Sequence, residues 1–217
     1  MSCCAPCSAG AIRQIYDFGF MISDLCDKNQ KSEIRNHKLD DFCVLFYNPN
    51  IFPESEYQKR LCEQIKLCES LGVKYFVGAP ACAGVTNYDA EHKKWLNCVR
   101  GLENEPERGR RCAECFKMRT AWGARWAAAN GYNALATVFG VSRHKDQAQV
   151  DAAANAAISD LGFLISDLDD DKKITYLPIN WKTNQKSEIL NQKSFYRQNY
   201  CGCEFSIKKL GPAIKEL

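Results

Sequence analysis

The sequence predicts an α/β fold, a mostly parallel sheet flanked by helices. Three observations point there: short apolar runs of strand length alternate with longer segments of helical period, the clearest run is continuously apolar, and glycine closes several helical segments. With 217 residues, 46% of them hydrophobic, the chain can bury about 70% of its unfolded surface in one core, so a single domain over 1–217 is expected.

The first helix is expected from Ser8 to Gly19, with Ser8 as cap and Ile12, Ile15 and Tyr16 on one face. Phe42 to Tyr47 is an apolar run between Asp41 and Asn48-Pro49, suited to a buried parallel strand. Glu54 to Leu71 repeats Tyr57, Leu61, Ile65, Cys68 and Leu71 at helical spacing, with Gly72 to end it, and Val73 to Val77 reads as the next strand. A short helix follows over Asp89–Val99 and an alanine-rich one over Cys112–Asn130, stopped by Gly131. Tyr132 to Phe139 is strand-like, His144 to Leu161 helical, Ile174 to Pro178 a short strand, and Ser187 to Ser194 a last helix. Two segments recur: Phe20–Asp27 is nearly repeated at Phe163–Asp170, and Asn29–Asn36 at Asn184–Asn191. The separations differ between the two pairs, which argues against a rigid duplication, and the repeat has no physical account.

Thirteen cysteines carry the chemical signal, and seven of them fall in three tight motifs: Cys3-Cys4-x-x-Cys7, Cys112-x-x-Cys115 and Cys201-Gly202-Cys203. A chain with room for a core needs no disulfide staples, and neither a signal-type apolar stretch nor a run near the roughly 20 residues of a membrane span occurs. A cytoplasmic protein is therefore expected, where clustered thiols bind metal or transfer electrons. The net charge of +3 is too mild to mark a dedicated nucleic-acid binder.

Cys112 and Cys115 open a helix, so their spacing sets both sulfurs on one face beside unpaired backbone N–H groups and the positive end of the helix dipole, with Arg110 and Arg111 adding charge. Adjacent Cys3 and Cys4 are poorly placed to pair with each other and suit a shared metal. Together these four thiolates match the count of a [4Fe-4S] cluster and equally of tetrahedral zinc, and spacing does not choose between them. Cys7 is a spare, as suited to helix packing as to metal. Cys201 and Cys203 would close a small strained ring, which favours a reversible dithiol/disulfide couple, with Gly202 supplying backbone latitude. Tyr196 to Tyr200 mixes aromatic and polar groups able to line a base pocket. Cys26, Cys43, Cys62, Cys68, Cys82 and Cys98 read mostly as structural. His144, after a strand, is the histidine best placed for a site, as capping, phosphate-contact or catalytic residue, and Asp89 reads first as a cap and second as a metal carboxylate. Neither a Gly-x-Gly-x-x-Gly nor a phosphate-loop motif is present, so electrons must come from an external donor.

Taken in order, Cys3-Cys4-Ala5-Pro6-Cys7-Ser8, Phe46-Tyr47-Asn48-Pro49-Asn50-Ile51, Gly101 to Glu107, Arg111-Cys112-x-x-Cys115-Phe116, Ser142-x-His144-Lys145 and Tyr196 to Cys203 resemble the epoxyqueuosine reductases of the QueH type over nearly the whole chain. The resemblance implies a nucleotide α-hydrolase-like (Rossmann-like) sandwich and a cytoplasmic enzyme that removes the epoxide oxygen of epoxyqueuosine at the tRNA wobble position, the last step of queuosine synthesis. It implies that Cys3, Cys4, Cys112 and Cys115 ligate a [4Fe-4S] cluster, that Cys201 and Cys203 form a redox-active disulfide, and that a second iron lies nearby, with Asp89 one candidate ligand. Arg108, Arg110, Arg111 and Lys145 are expected to meet tRNA phosphates. Relatives carry an apolar strand ahead of the paired cysteines, so the first strand is expected to be missing here; they read Asn-Ile-His-Pro at Asn50-Ile51-Phe52-Pro53, and residues 20–41 stand as an insertion. The competing class is a zinc-stabilised RNA-binding module without catalysis, and a third is a protein thiol–disulfide oxidoreductase.

Overall fold

The computed structural model describes residues 1–17, 42–78, 87–164, 174–181, 195–196 and 198–207. Its elements are α1 (Ala5–Asp17), β1 (Cys43–Phe46), α2 (Glu54–Ser70), β2 (Lys74–Val77), α3 (Tyr88–Cys98), α4 (Arg110–Ala129), β3 (Ala134–Ala136), α5 (Gln147–Leu164), β4 (Thr175–Leu177) and a four-residue α6 (Glu204–Ile207). The whole segment from 20 to 41, both copies of Asn-Gln-Lys-Ser-Glu-Ile, the expected helix at 187–194, and Cys26, His37 and Cys82 lie outside the described residues.

β1 pairs in parallel with β2, Cys43 facing Lys74 and Phe46 facing Val77, and β3 pairs in parallel with β4. Met1 and Ser2 join the two sheets. The Ser2 amide donates to Leu45 O at 2.8 Å and forms a parallel bridge with Phe46, while Met1 O accepts from Val138 N at 3.0 Å on the other side. The order is therefore β2, β1, the Met1–Ser2 segment, β3, β4, with Met1 and Ser2 lying between the two strand pairs.

Side chains of a strand alternate between faces, and β1 uses both. Val44 packs with Ala5, Ala9 and Ile12 of α1 and with Leu67 and Cys68 of α2, whereas Leu45 packs with Ala124 and Ala127 of α4 and Leu135 of β3. Helix α1 lies on α2, and α4 on α5 and α3. The result is three layers, with helices on both sides of parallel strands, β1 buried on both faces and β2 at the exposed edge. Phe46 is 1% exposed and meets Tyr57 edge-on at 5.5 Å. Phe46→Ala is expected to cost about 3–5 kcal/mol in a denaturant titration, since the site is ringed by Ile51, Leu61 and Tyr88 and cannot collapse; a loss under about 1 kcal/mol would contradict the packing.

Several helix starts differ from expectation: α4 begins at Arg110 rather than Cys112 and α5 at Gln147 rather than His144. α1 begins at Ala5, three residues before Ser8, so Ser8 is no cap: its hydroxyl donates back to Cys4 O at 2.9 Å and meets Gln64 of α2. Gly72 and Gly131 do follow α2 and α4, at φ +64° and +77°. β3 is shorter than the expected strand, because the chain leaves the sheet after Ala136 and turns into a 3₁₀ turn over Phe139–Val141. Among the described residues no helix is long and apolar enough to cross a membrane.

Candidate functional site

The carboxyl ends of parallel strands are where such sheets place ligands, and the cysteines collect there. Cys3 and Cys4 follow the Met1–Ser2 segment and lead into α1, whose first turn carries Cys7. Cys112 and Cys115 sit in the first turns of α4. Two helix N-termini, each a positive dipole end, thus carry five sulfurs, a setting that favours negative charge.

The sulfurs of Cys3, Cys4 and Cys7 lie within 4.8 Å of one another, Cys3 to Cys4 at 3.9 Å. Cys7, a spare on sequence grounds, belongs to this group; a helix starting at Ala5 would have shown it, because Cys4 and Cys7 are one turn apart. Cys112 packs against the same cluster as Cys3 and Cys4, while Cys115 packs with Cys203, Trp95 and Phe205, and Cys201 borders that group. Cys112, Cys115, Cys201 and Cys203 line one small cavity. A larger one of about 320 Å³ is lined by Cys3, Cys4, Cys7 and Cys201 together with His144 and Tyr200. Sulfurs from the start, middle and end of the chain therefore share one region, with Cys201, His144 and Lys145 bordering both cavities.

Proton sharing sets the charge of the trio. Hydrogen bonds from Cys4 and Cys7, and the nearby Lys145 ammonium, hold the Cys3 thiol well below its ordinary value despite burial. Bonding to Cys3 pushes Cys4 up to about 12, and Cys3 and Cys4 push Cys7 up. Lys145 is buried and donates to Cys3 Sγ at 3.3 Å; burial opposes its charge, but the Cys3 thiolate keeps it protonated. Burial, with Cys115 next to it, raises Cys112 to about 11, partly offset by the Arg108 amide donated to its sulfur at 3.3 Å. A metal that displaces these protons gains an all-thiolate set, the donor type chosen by zinc, copper(I) and iron–sulfur centres. Metal–sulfur bonds of about 2.3 Å put the sulfurs of one tetrahedral ion roughly 3.8 Å apart, close to the Cys3–Cys4 spacing.

The dithiol is asymmetric. Cys203 is buried and Cys201 half-buried. Cys203, then Lys145 and Ser206, lower the Cys201 thiol to about 5 against the cost of burial, whereas Cys201 and burial push Cys203 up. Cys201 is the thiolate and Cys203 the thiol, the arrangement of an attacking and a resolving sulfur. Their turn is clamped by α2: buried Arg60, paired with Glu56 at 2.6 Å, donates to Cys201 O at 3.2 Å and Tyr200 O at 3.4 Å. Gly202, at φ +101°, leaves no room for a side chain, since a Cβ there would lie 2.8 Å from Arg60 Nη1. Alkylation of the metal-free protein should strike Cys201 first, with a rate that holds down to about pH 5 and falls below it as the thiolate is protonated. Modification of Cys203 ahead of Cys201, followed by peptide mass mapping, would contradict this order.

Other expectations change. Arg111 and Lys145 are buried, one on backbone carbonyls and the other on Cys3, which takes both away from the surface a phosphate would meet; Arg108, Arg110 and Arg143 are exposed on this rim. Arg108 Nη2 donates to Arg143 O at 2.7 Å, which keeps the rim together. Asp89 is exposed in the first turn of α3 and lines neither cavity; the N-cap there is Asn87. His144 borders both cavities, 3.7 Å from Glu107.

Comparison with known proteins adds the following. The family model described as "Epoxyqueuosine reductase QueH" matches residues 25–209, a span that contains Cys112, Cys115, Cys201 and Cys203. The chain is 32% identical to a curated "Epoxyqueuosine reductase QueH" of Histophilus somni, over 95% of this chain and 70% of that protein. It is also 32% identical to one of Acinetobacter baylyi, over 95% and 78%, and 30% identical to one of Staphylococcus epidermidis, over 100% and 78%. The last alignment takes in Cys3 and Cys4 as well.

Proposed function

The chain belongs to the epoxyqueuosine reductase QueH family, and from that premise we propose how its cysteines perform the reaction. The activity is reduction of the epoxide of epoxyqueuosine at the tRNA wobble position to queuosine, in the last step of tRNA queuosine biosynthesis. Two electrons and two protons enter, both carbon–oxygen bonds of the epoxide break, a carbon–carbon double bond forms and the oxygen leaves as water.

Cys3, Cys4, Cys112 and Cys115 would hold a [4Fe-4S] cluster, and Cys7, within 4.8 Å of Cys3 and Cys4, is a further thiolate for a second iron. When bound, these groups would supply low-potential one-electron transfer and a Lewis acid for the epoxide oxygen. Closure of the Cys201 thiolate and the Cys203 thiol into a disulfide would release two electrons and one proton, the second proton coming from water, and an external donor would return the pair to its reduced form. Lys145, held protonated between Cys3 and Cys201, keeps both sulfurs anionic. The single observation that carries the reading is that thiols from three distant motifs border one region at the carboxyl edge of the sheet.

The larger cavity suits the modified base: Gln198 offers an amide for its edge and Tyr200 and Phe195 offer aromatic walls. Exposed Arg108, Arg110 and Arg143 would take phosphates of the anticodon loop, where an unpaired base is turned out at least cost. The three layers support a nucleotide α-hydrolase-like (Rossmann-like) sandwich forming a single domain over residues 1–217, with 20–41 as an insertion. A thiol-dependent site of this kind fits the reducing cytoplasm.

The test is anaerobic loading with iron and sulfide, incubation with tRNA carrying epoxyqueuosine and a strong one-electron reductant, and mass analysis of the released nucleosides. Loss of one oxygen atom from the modified base is expected. An iron-loaded protein that leaves the epoxide intact would refute the assignment.

A further inference from the structure

Four buried polar atoms without a hydrogen-bond partner among the described residues belong to three side chains on one wall: Nε and Nη2 of Arg111, Nε1 of Trp95 and Oδ1 of Asn50. All three side chains line the small cavity of Cys112 and Cys115. A buried polar atom left without a partner is costly, more so on a charged group, so native proteins hold few of them. Four together point to a missing occupant.

The donors are fixed in place. Arg111 is 1% exposed and its Nη1 is already engaged, donating to the carbonyls of Leu102, Glu103 and Glu105. Phe205 lies against the guanidinium at 5.4 Å. Trp95, fully buried, stacks on His92 at 5.6 Å and meets the tilted ring of Phe205 at 5.7 Å. Three donor nitrogens against one carbonyl oxygen make the wall donor-rich, and one of its members carries a full positive charge, so the wall favours an acceptor, and an anionic one most. The cavity volume of about 20 Å³ admits one atom of sulfur or water size.

We propose that Arg111 and Trp95 donate hydrogen bonds to a sulfur of the iron–sulfur group held through Cys112 and Cys115, and so raise its reduction potential. The inference rests on the iron–sulfur reading above. Reduction adds negative charge to the sulfurs, N–H groups aimed at them stabilise the reduced state more than the oxidised one, and such outer contacts are among the terms that set the potential of these centres.

The experiment is an anaerobic dye-mediated redox titration of the iron-loaded protein, followed by visible absorption and electron paramagnetic resonance. Trp95→Phe keeps the ring and removes one donor; Arg111→Lys keeps the charge and removes the fork. Each is expected to disfavour reduction about tenfold, which is 59 mV for a one-electron couple, at unchanged iron content. The wild-type protein labelled with ¹⁵N in the indole ring should show a nitrogen coupling to the reduced centre that Trp95→Phe removes, a readout that decides the matter even if a variant loads iron poorly. Unchanged potentials with full iron, an absent indole coupling, or a shift confined to the Cys201–Cys203 couple would each overturn the proposal. A wild-type protein that takes up no iron would sink the underlying reading instead, and this inference with it.

Discussion

Cys112→Ala is expected to leave the loaded protein colourless and without turnover. The sulfur sits in the first turn of α4, accepts the Arg108 amide, and packs against the cluster formed by Cys3 and Cys4, so its loss removes one of the four proposed ligands, which come from two segments of the chain. Loss of an outer partner of a metal ligand already costs about 10–100-fold in affinity or activity, and loss of the ligand itself should exceed that. The side chain is half-buried and small, so the fold should survive, and an unchanged thermal unfolding profile serves as the control. Iron determination and nucleoside mass analysis read the outcome. Full iron content in Cys112→Ala would remove this residue from the ligand set.

Cys201→Ala should separate the two chemistries: iron and colour persist while turnover collapses, because the dithiol that would supply the electron pair is lost. Cys201 is the sulfur whose charge is supported by Cys203, Lys145 and Ser206, and Cys203 alone cannot close a disulfide. Normal turnover by Cys201→Ala with the same reductant would mean that the dithiol takes no part in the reaction.

Much of the scaffold was legible in the residues. The segment from Phe42 to Val77 alternates apolar run, helical period and apolar run so regularly that β1, α2 and β2 fall within one or two residues of expectation. The start of α1 was not, because Ser8 looks like a cap while Pro6, which needs no N–H in a first helical turn, lets the helix begin earlier. That one shift hid Cys7 from the sulfur group. Tyr132 to Phe139 reads as one strand by apolarity, but only Ala134–Ala136 stays in the sheet; the Thr137 carbonyl turns to the Trp181 indole at 2.9 Å, a contact across the chain that no local pattern reports.

The site divides in the same way. The Cys-x-x-Cys spacing at a helix start and the strained Cys-Gly-Cys turn carry their chemistry locally, so Cys112, Cys115, Cys201 and Cys203 could be picked out from spacing. Burial of Arg60, Arg111, Arg119 and Lys145 could not. A charged residue is expected at the surface unless partners exist for it, and here the partners come from elsewhere in the fold: the carbonyls of Tyr200 and Cys201 for Arg60, those of the 102–105 loop for Arg111, the Tyr47 carbonyl and Asn48 for Arg119, and Cys3 for Lys145. Two residues expected to touch RNA are thus part of the electrostatic support beneath the sulfurs.

The most direct test of the central claim is anomalous diffraction at the iron edge from crystals of the anaerobically loaded protein. An iron peak bound jointly by Cys3, Cys4, Cys112 and Cys115, with Cys201 and Cys203 beside it, is the result expected. Iron confined to Cys3, Cys4 and Cys7, with the sulfurs of Cys112 and Cys115 left uncoordinated, would contradict it.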